Sequence, residues 1–573
     1  MARRSSWLLL IAVLALGLLL AWWESAPPAA RPAASPAAAF SAMRAAPDIG
    51  VIAATPHPMG SAANARVRDH LLARMTSLGL SPQILPSESH RGRLENIVGV
   101  LPGRDRSQPA LALMAHYDSV PGSPGAGDDA AGVASILEVV RALKTRGPPR
   151  RDLVVVFTDG EEGGLLGAKA FFGQAPLASR IGLAINLEAR GGAGRAAMFE
   201  TSSDAGGLID VFRRTATAPS SNSAAVFLYQ QLPNDTDFTV VRKAGIAGYN
   251  FAFIGRQFDY HAPTATLANL DLGAVQSMGE QALSLVEALA FADALPGRAP
   301  DLVYSQVFGA LVAAYPPVVG WAILVGAAGL MAMAAVRAGH RGRLRLDDIL
   351  LGAAGFVLML VLAGGALWLA REATGIGHGF YAQKPLLARF ELWEGAMAAV
   401  CLAAGLSVAA LIGRAGDRAA GAWLGMLTIA FAAAVAAQAL EPRIAFVLAW
   451  PVGAGALAAA TTALGRGGGL PVAAVIAVAA AGWLGALAHA VAVALDLAPA
   501  LALFGALAAL SLWPLLAPVW TRGKGGLAVV AAAWIFAGGL VGYIRFTDPW
   551  SPRFPQSAAT APNLSLPQPP KPL

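Results

Sequence analysis

The sequence predicts two architectures in one chain: an α/β domain with a mostly parallel central sheet, followed by an all-α domain of about eight transmembrane helices. Two observations carry this. Up to about residue 300, short apolar runs bounded by turn residues alternate with amphipathic stretches, and most of the acids lie there. Beyond it, Ala, Leu, Val and Gly dominate in runs of about twenty separated by short polar loops, a membrane composition. The average over 573 residues, 56% apolar and 13% charged, conceals this change; soluble domains carry roughly 25% charged residues.

Residues 1–25 read as an N-terminal signal-anchor helix, because Arg3 and Arg4 precede the apolar run WLLLIAVLALGLLLAWW. Pro27 and Pro28 make a poor cleavage site and favour a retained anchor. A Pro/Ala-rich linker, 26–44, has no periodicity with which to pack. Within the domain at 45–300, ANARVRDHLLARMTSL spaces its apolar residues as a helix over 63–78. Strands are predicted at 96–101, 110–115, 152–158, 182–187 and 249–254, with helices at 132–143, 165–172 and 272–292.

The membrane domain, 301–545, resolves into apolar spans near 315–336, 349–370, 394–413, 422–439, 444–464, 471–494, 499–520 and 526–544, with a Pro-rich tail at 546–573. RAGHRGRLR, RAGDR, GRGGG and TRGKGG follow the first, third, fifth and seventh spans. REATGIGHGFYAQK, EPR and DLAP fall on the other side. With the anchor entering from a basic cytoplasmic end, the positive loops face the cytoplasm and the α/β domain faces away from it. Glu441-Pro442-Arg443 separates two close spans and leaves a re-entrant hairpin as the alternative there. The net charge of +7 is explained by these loops, so no nucleic-acid partner is expected; the lipid bilayer is. The single cysteine, Cys401, supplies neither a disulfide framework nor a thiolate metal site.

Chemistry concentrates at the ends of the predicted strands. His116 leaves one strand and can ligate a metal through neutral imidazole. Asp118, two residues on, projects to the same side and is better placed to orient His116 than to bind metal. Asp128 sits in a Gly-rich turn, GSPGAGDDAAG, where a carboxylate can offer one oxygen to each of two cations. DLVVVFT then delivers Asp159-Gly160-Glu161-Glu162. Adjacent glutamates point different ways, so one can bind metal while the other takes a proton. Glu188 follows the next strand and His261 a later one. These donors suffice for two zinc ions and a base.

HxD, GxxDDxAG, DGEE, NLE and YH in this order resemble metallopeptidase family 28, the dizinc aminopeptidases and carboxypeptidases. TPHPMGSAANARVRDHLL, LENIVGVLPG, NDTDF and the multi-span tail narrow the likeness to its membrane-bound, Fxna-type branch of endoplasmic reticulum metallopeptidases and vacuolar membrane proteases. The likeness implies a zinc-exopeptidase-type three-layer sandwich over about Ala45 to Leu295. It implies that His116, Asp128 and Glu188 hold one zinc and Asp128, Glu162 and His261 the other, with Glu161 as general base. Tyr260 would polarise the scissile carbonyl, and the Asp128–Asp129 peptide would be cis. Glu188 departs from the Asp common in soluble relatives. The expected activity is zinc-dependent exopeptidase cleavage of peptide substrates, as an aminopeptidase first, on the non-cytoplasmic side.

Two rivals accompany this reading. One is a glutaminyl-cyclase-like acyltransferase with one zinc; the other is a catalytically inactive membrane scaffold or transporter. The oligomeric state is not specified by the sequence. Blander roles are expected elsewhere: His57 as a buried or capping residue, Asp237 as a helix N-terminal carboxylate, Asp259 as a supporting or surface group, and His489 as a bond between membrane helices.

Overall fold

The computed structural model describes residues 2–413, 419–464, 469–520 and 525–547. α1 (Ala2–Ser25), α2 (Ala42–Ile52) and α3 (Ala62–Ser77) lead into the hairpin of β1 (Gln83–Ser89) and β2 (Gly92–Leu101). Then come β3 (Ala110–His116), α4 (Gly132–Lys144), β4 (Leu153–Thr158), α5 (Leu166–Gln174) and β5 (Ile181–Ala189). β6 (Ala197–Thr201), α6 (Gly206–Thr215), α7 (Ser223–Tyr229), α8 (Asp237–Lys243), β7 (Ala247–Phe253) and α9 (Leu272–Phe291) complete the first half.

Seven strands form one sheet in the order β1-β2-β4-β3-β5-β7-β6. The central four, β4-β3-β5-β7, are parallel. Antiparallel pairings add β2 and β1 at one edge and β6 at the other. The parallel character expected from the sequence thus belongs to the centre. Side chains alternate across the sheet as the period of two requires. Leu111, Leu113 and Ala115 of β3 pack with α2, α3, α4 and α9, whereas Ala110, Ala112 and Met114 face α5 and α8. The result is a three-layer α/β/α sandwich. β3, β4, β5 and α3 coincide with predicted elements to within a few residues. β1, β6, α2, α6, α7 and α8 were not predicted.

The expectation that 26–44 stays unpacked is overturned. Phe40 is buried and fills the space left by Gly279 on α9, where a Cβ would stand 2.0 Å from its ring. Gln276 accepts from the backbone N–H groups of Arg31 and Ala42 at 3.0 and 2.9 Å. Arg141 and Arg44 donate to carbonyls of the Pro-rich stretch. An aperiodic segment packs here because its backbone N–H and C=O groups find side-chain partners, with Phe40 as a single apolar anchor.

Asp48 ties α2 to α3. It accepts from Arg74 Nε at 2.8 Å and lies 3.0 Å from His70 Nε2. Burial pushes its carboxyl upward, but the hydrogen bonds from His70 and Arg74 prevail and hold it below the usual range. A depressed native pKa stabilises the fold above the unfolded value and ceases to as pH falls through the native one. Asp48→Asn is therefore expected to lower the thermal midpoint at neutral pH. The gap from the native chain should close in acid below about pH 4, near the unperturbed carboxyl value. Circular dichroism melts across pH test this.

β8 (Val303–Val307) and β9 (Leu311–Tyr315) form a hairpin that was not predicted. It passes the chain to α10 (Pro317–His340), α11 (Leu346–Ala373), the short α12 (Lys384–Leu387), α13 (Phe390–Gly413), α14 (Ala419–Leu440), α15 (Pro442–Leu464), α16 (Gly469–Ala494), α17 (Leu501–Trp520) and α18 (Gly525–Phe546). Among the described residues nine helices, α1 included, are long and apolar enough to cross a membrane. α14 and α15 are each long and apolar enough to cross a membrane, and Glu441-Pro442-Arg443 is the tight link between them. Small residues set the packing: a Cβ on Gly482 of α16 would meet Leu20 of α1 at 2.7 Å, and one on Gly425 of α14 would meet the Ile349 carbonyl of α11 at 1.9 Å. His489 Nδ1 lies 2.6 Å from Glu394 Oε1 on α13, the interhelical bond anticipated for it.

EPR, DLAP and the 374–389 loop lie on the side of the sheet domain. Arg443 accepts there, through its carbonyl, from Ser223 Oγ at 2.6 Å, and Trp483 donates to Ser305 of the hairpin at 3.3 Å. α10 leaves the hairpin and carries RAGHRGRLR to the opposite end. RAGDR, most of GRGGG and TRGKGG, and the Pro-rich tail lie outside the described residues.

Candidate metal centre

Every residue singled out for chemistry gathers at the carboxyl ends of the parallel strands. His116 ends β3 opposite Thr158, the last residue of β4, and Glu188 stands near the end of β5. These ends are held by pairing to a neighbouring strand, His116 to Thr158 of β4 and Glu188 to Ala252 of β7. The turn Ala126–Ala131 brings in Asp128 and Asp129, whose φ/ψ values (−110°, 93° and −130°, 35°) are not helical. The peptide between them is cis, as the family likeness implied.

Two groups of donors result. Asp128, Glu162 and His261 form one, and His116, Asp129 and Glu188 the other. Asp128 also stands between the two imidazoles. Its Oδ1 is 3.0 Å from His116 Nε2 and its Oδ2 is 3.2 Å from His261 Nε2. Glu188 Oε2 is 3.7 Å from His116 Nε2. Asp129 was not singled out from the sequence, where it reads as the second letter of a repeated Asp. Its Oδ1 accepts from Gly132 N at 3.0 Å, and its buried Oδ2 has no hydrogen-bond partner among the described residues.

Asp118 has a broader task than orienting one histidine. His116 Nδ1 lies 3.0 Å from the Asp118 carbonyl and 3.6 Å from its carboxylate. The two carboxylate oxygens accept from the backbone N–H groups of Glu161, at 3.0 Å, and Glu162, at 3.3 Å. The tight turn before these glutamates needs Gly160, whose φ is 72°. Glu162 then reaches His261, 3.0 Å away, while the Glu161 carboxylate stays outside both donor groups. Asn186 steadies Glu188 at 3.3 Å. Tyr260 stacks on His261, ring centroids 3.8 Å apart.

The site is buried and rich in carboxylates, and its electrostatics follow. Burial, then the neighbouring Asp128, pushes Glu162 up to about 7. Burial likewise lifts Glu188 to about 8, with Asp128 and Asp237 adding to it against the pull of His116. Glu161 is raised well above the ordinary range, by burial first and by Glu188 and Glu162 as well. Burial opposes charge on His261, yet Asp128 and Glu162 carry it to about 9. Burial works upward on Asp128, but His116 and His261 hold it well below the usual range. Negative charge in excess of its partners marks a place for a cation.

Residues with blander expectations also resolve. His57 is buried, with Nδ1 2.9 Å from the Thr55 carbonyl. Asp237 opens α8 and takes a hydrogen bond from Thr158. Asp259 pairs with Arg256 at 3.0 Å.

The chain is 32% identical over 276 residues to endoplasmic reticulum metallopeptidase 1 of Mus musculus, a match covering 46% of this chain and 31% of the relative. It is 33% identical over 251 residues to a vacuolar membrane protease of Candida dubliniensis, covering 40% and 26%. The chain thus spans about a quarter to a third of these relatives' length. Among solved structures it resembles Porphyromonas gingivalis glutaminyl cyclase, with 21% identity and a TM-score of 0.36 over 43% of this chain and 98% of that one. With its apolar helices, the chain is a multi-pass membrane protein. Residues 96–286 match Peptidase family M28, and this match lies within the three-layer domain that brings these donors together.

Proposed function

We propose that this domain is a dizinc exopeptidase, an aminopeptidase first, working on the non-cytoplasmic face of the membrane. The carrying observation is Asp128, each of whose oxygens faces a different histidine. The residues fit a metal pair by more than type. Glu162 Oε1 and His261 Nε2 are 3.0 Å apart, and with Asp128 they form a group whose ligand atoms lie within 4.8 Å of one another. Mixed imidazole and carboxylate donors suit zinc. His116, Asp128 and Glu188 would hold one ion and Asp128, Glu162 and His261 the other. Asp129, with one oxygen committed to Gly132, would support the first group.

The chemistry that bound zinc supplies is Lewis acidity, which makes water nucleophilic near neutral pH and polarises a carbonyl. Glu161, free of the ligand groups, takes the proton from water and passes it to the departing amine. Asp118 holds Glu161 and Glu162 by their backbones and so keeps base and ligand in register. Tyr260 stands beside His261 as donor to the developing oxyanion. The surplus of carboxylates favours a positively charged substrate terminus, the free amine. Sidedness is supported by the loops: EPR, DLAP and the 374–389 loop accompany the domain, whereas Arg3, Arg4 and RAGHRGRLR lie at the far ends of their helices.

A digest of a peptide library by the purified full chain, read by mass spectrometry with and without chelator, tests this. N-terminal trimming that stops on chelation and returns with zinc is expected. C-terminal trimming would replace the aminopeptidase assignment and direct attention to Arg190, whose guanidinium has no carboxylate partner among the described residues and lies 5.5 Å from the Phe380 ring. Cyclisation of N-terminal glutamine, or no reaction, would overturn the proposal.

A further inference from the structure

The turn that carries Tyr260 and His261 is held from the membrane side. Lys384, at the start of α12, directs its ammonium at three carbonyls of that turn: Gln257 at 3.3 Å, Phe258 at 2.8 Å, and Tyr260. An ammonium has three N–H donors, and these carbonyls use them all. A second tie starts from the turn itself: the buried Gln257 side chain donates to the Val493 carbonyl near the end of α16. Phe380 of the same loop stands edge-on to the Tyr260 ring, centroids 5.4 Å apart, and lies 4.5 Å from the Lys384 ammonium.

The loop itself is anchored in the bundle. Arg371, buried at the end of α11, donates to the carbonyls of Ile376 at 2.8 Å and Gly377 at 2.9 Å. It also grips Asp496, in the link after α16, at 3.1 Å through two nitrogens. The turn needs such support. Arg256 and His261 both have φ of 53°, a left-handed backbone that side-chain-bearing residues keep only where their surroundings impose it. Soluble sandwich elements supply part of that frame; Lys384 and Val493 supply the rest from elements that belong to the membrane domain.

We infer that the membrane domain is a working part of the metal centre: Lys384 is a positioning residue that, with the Gln257–Val493 bond, holds the left-handed turn presenting His261 to the metal. This rests on His261 being a metal ligand. It gives the spans a role in the site besides anchorage, because a shift of α11 or α16 is transmitted to one ligand group and not the other. Glu188 and His116 are fixed by the sheet and should not respond.

The test is zinc titration of the chelator-stripped full chain in detergent, followed by calorimetry. Native protein should take up two equivalents. Lys384→Met should weaken one of them about 10–100-fold, as loss of a ligand's supporting partner does, and leave the other unchanged. Lys384→Arg, which keeps charge and donors, should recover part of the loss, and Arg213→Gln on the exposed face of α6 should change nothing. Should Lys384→Met fail to fold, Gln257→Ala decides, with a smaller weakening of the same equivalent. Two unaltered equivalents in a folded Lys384→Met or Gln257→Ala chain would overturn the inference while leaving the dizinc proposal intact. A native chain that binds no zinc would overturn both.

Discussion

Glu161→Gln is expected to abolish turnover while leaving both zinc equivalents in place. The change replaces one oxygen by an amide nitrogen of the same size, so packing and the backbone bond from Glu161 N to Asp118 survive. What disappears is a proton acceptor. General-base catalysis contributes typically about 10²–10⁴ in rate, and kcat should fall by about that much with KM little changed, since the side chain belongs to neither donor group. Glu162→Gln is the informative contrast. It removes a donor 3.0 Å from His261, so activity and metal content should fall together. Steady-state kinetics with elemental analysis on both variants separates base from ligand. A Glu161→Gln enzyme within a few-fold of native rate would exclude Glu161 as the base and return the choice to the other carboxylates around the site. The same variant in cells discriminates against the scaffold reading: if cellular function survives without turnover, hydrolysis is not what the chain is for.

Much of this site was legible because its parts are tied to strand ends. β3, β4 and β5 are apolar runs that declare themselves, and His116, the Glu161–Glu162 pair and Glu188 follow from where those runs stop. What was not legible lacks a local period. β1 carries Pro86 and alternates weakly; it exists because β2 offers an edge to pair with. The docking of Phe40 over Gly279 joins residues far apart in sequence, and nothing around either predicts the other. Asp129 was hidden by its neighbour: two adjacent aspartates give no sign of which faces the imidazoles until the turn's backbone is known. Lys384 stands in a loop read for its charge balance alone, and its contact with the Tyr260 carbonyl spans 124 positions. The sequence reveals groups whose direction the backbone period sets, and conceals those whose partner is chosen by the tertiary fold.

Asp128→Asn is expected to lose both zinc equivalents, and His261→Ala only one. The difference follows from sharing. Asn keeps the shape of Asp128 but turns one of its two oxygens into an N–H donor and removes the charge. His116 and His261 then compete for a single acceptor where each had its own, at 3.0 and 3.2 Å. Whichever way the amide turns, one group faces an N–H and both lose a carboxylate. Truncating His261 leaves His116, Asp128, Asp129 and Glu188 untouched, so one equivalent should persist. Thermal stability gives a readout independent of turnover. A ligand at 100 times its Kd stabilises the native state by about 2.7 kcal/mol. For a domain of this size that raises the midpoint by on the order of 5–10 °C. Zinc should therefore stabilise the native chain strongly, His261→Ala by part of that shift, and Asp128→Asn hardly at all. Scanning calorimetry with and without zinc measures the three shifts. Equal losses in the two variants would mean that Asp128 serves one ion only; Asp129, which offers a carboxylate oxygen to the His116 and Glu188 group, would then be the carboxylate of the other.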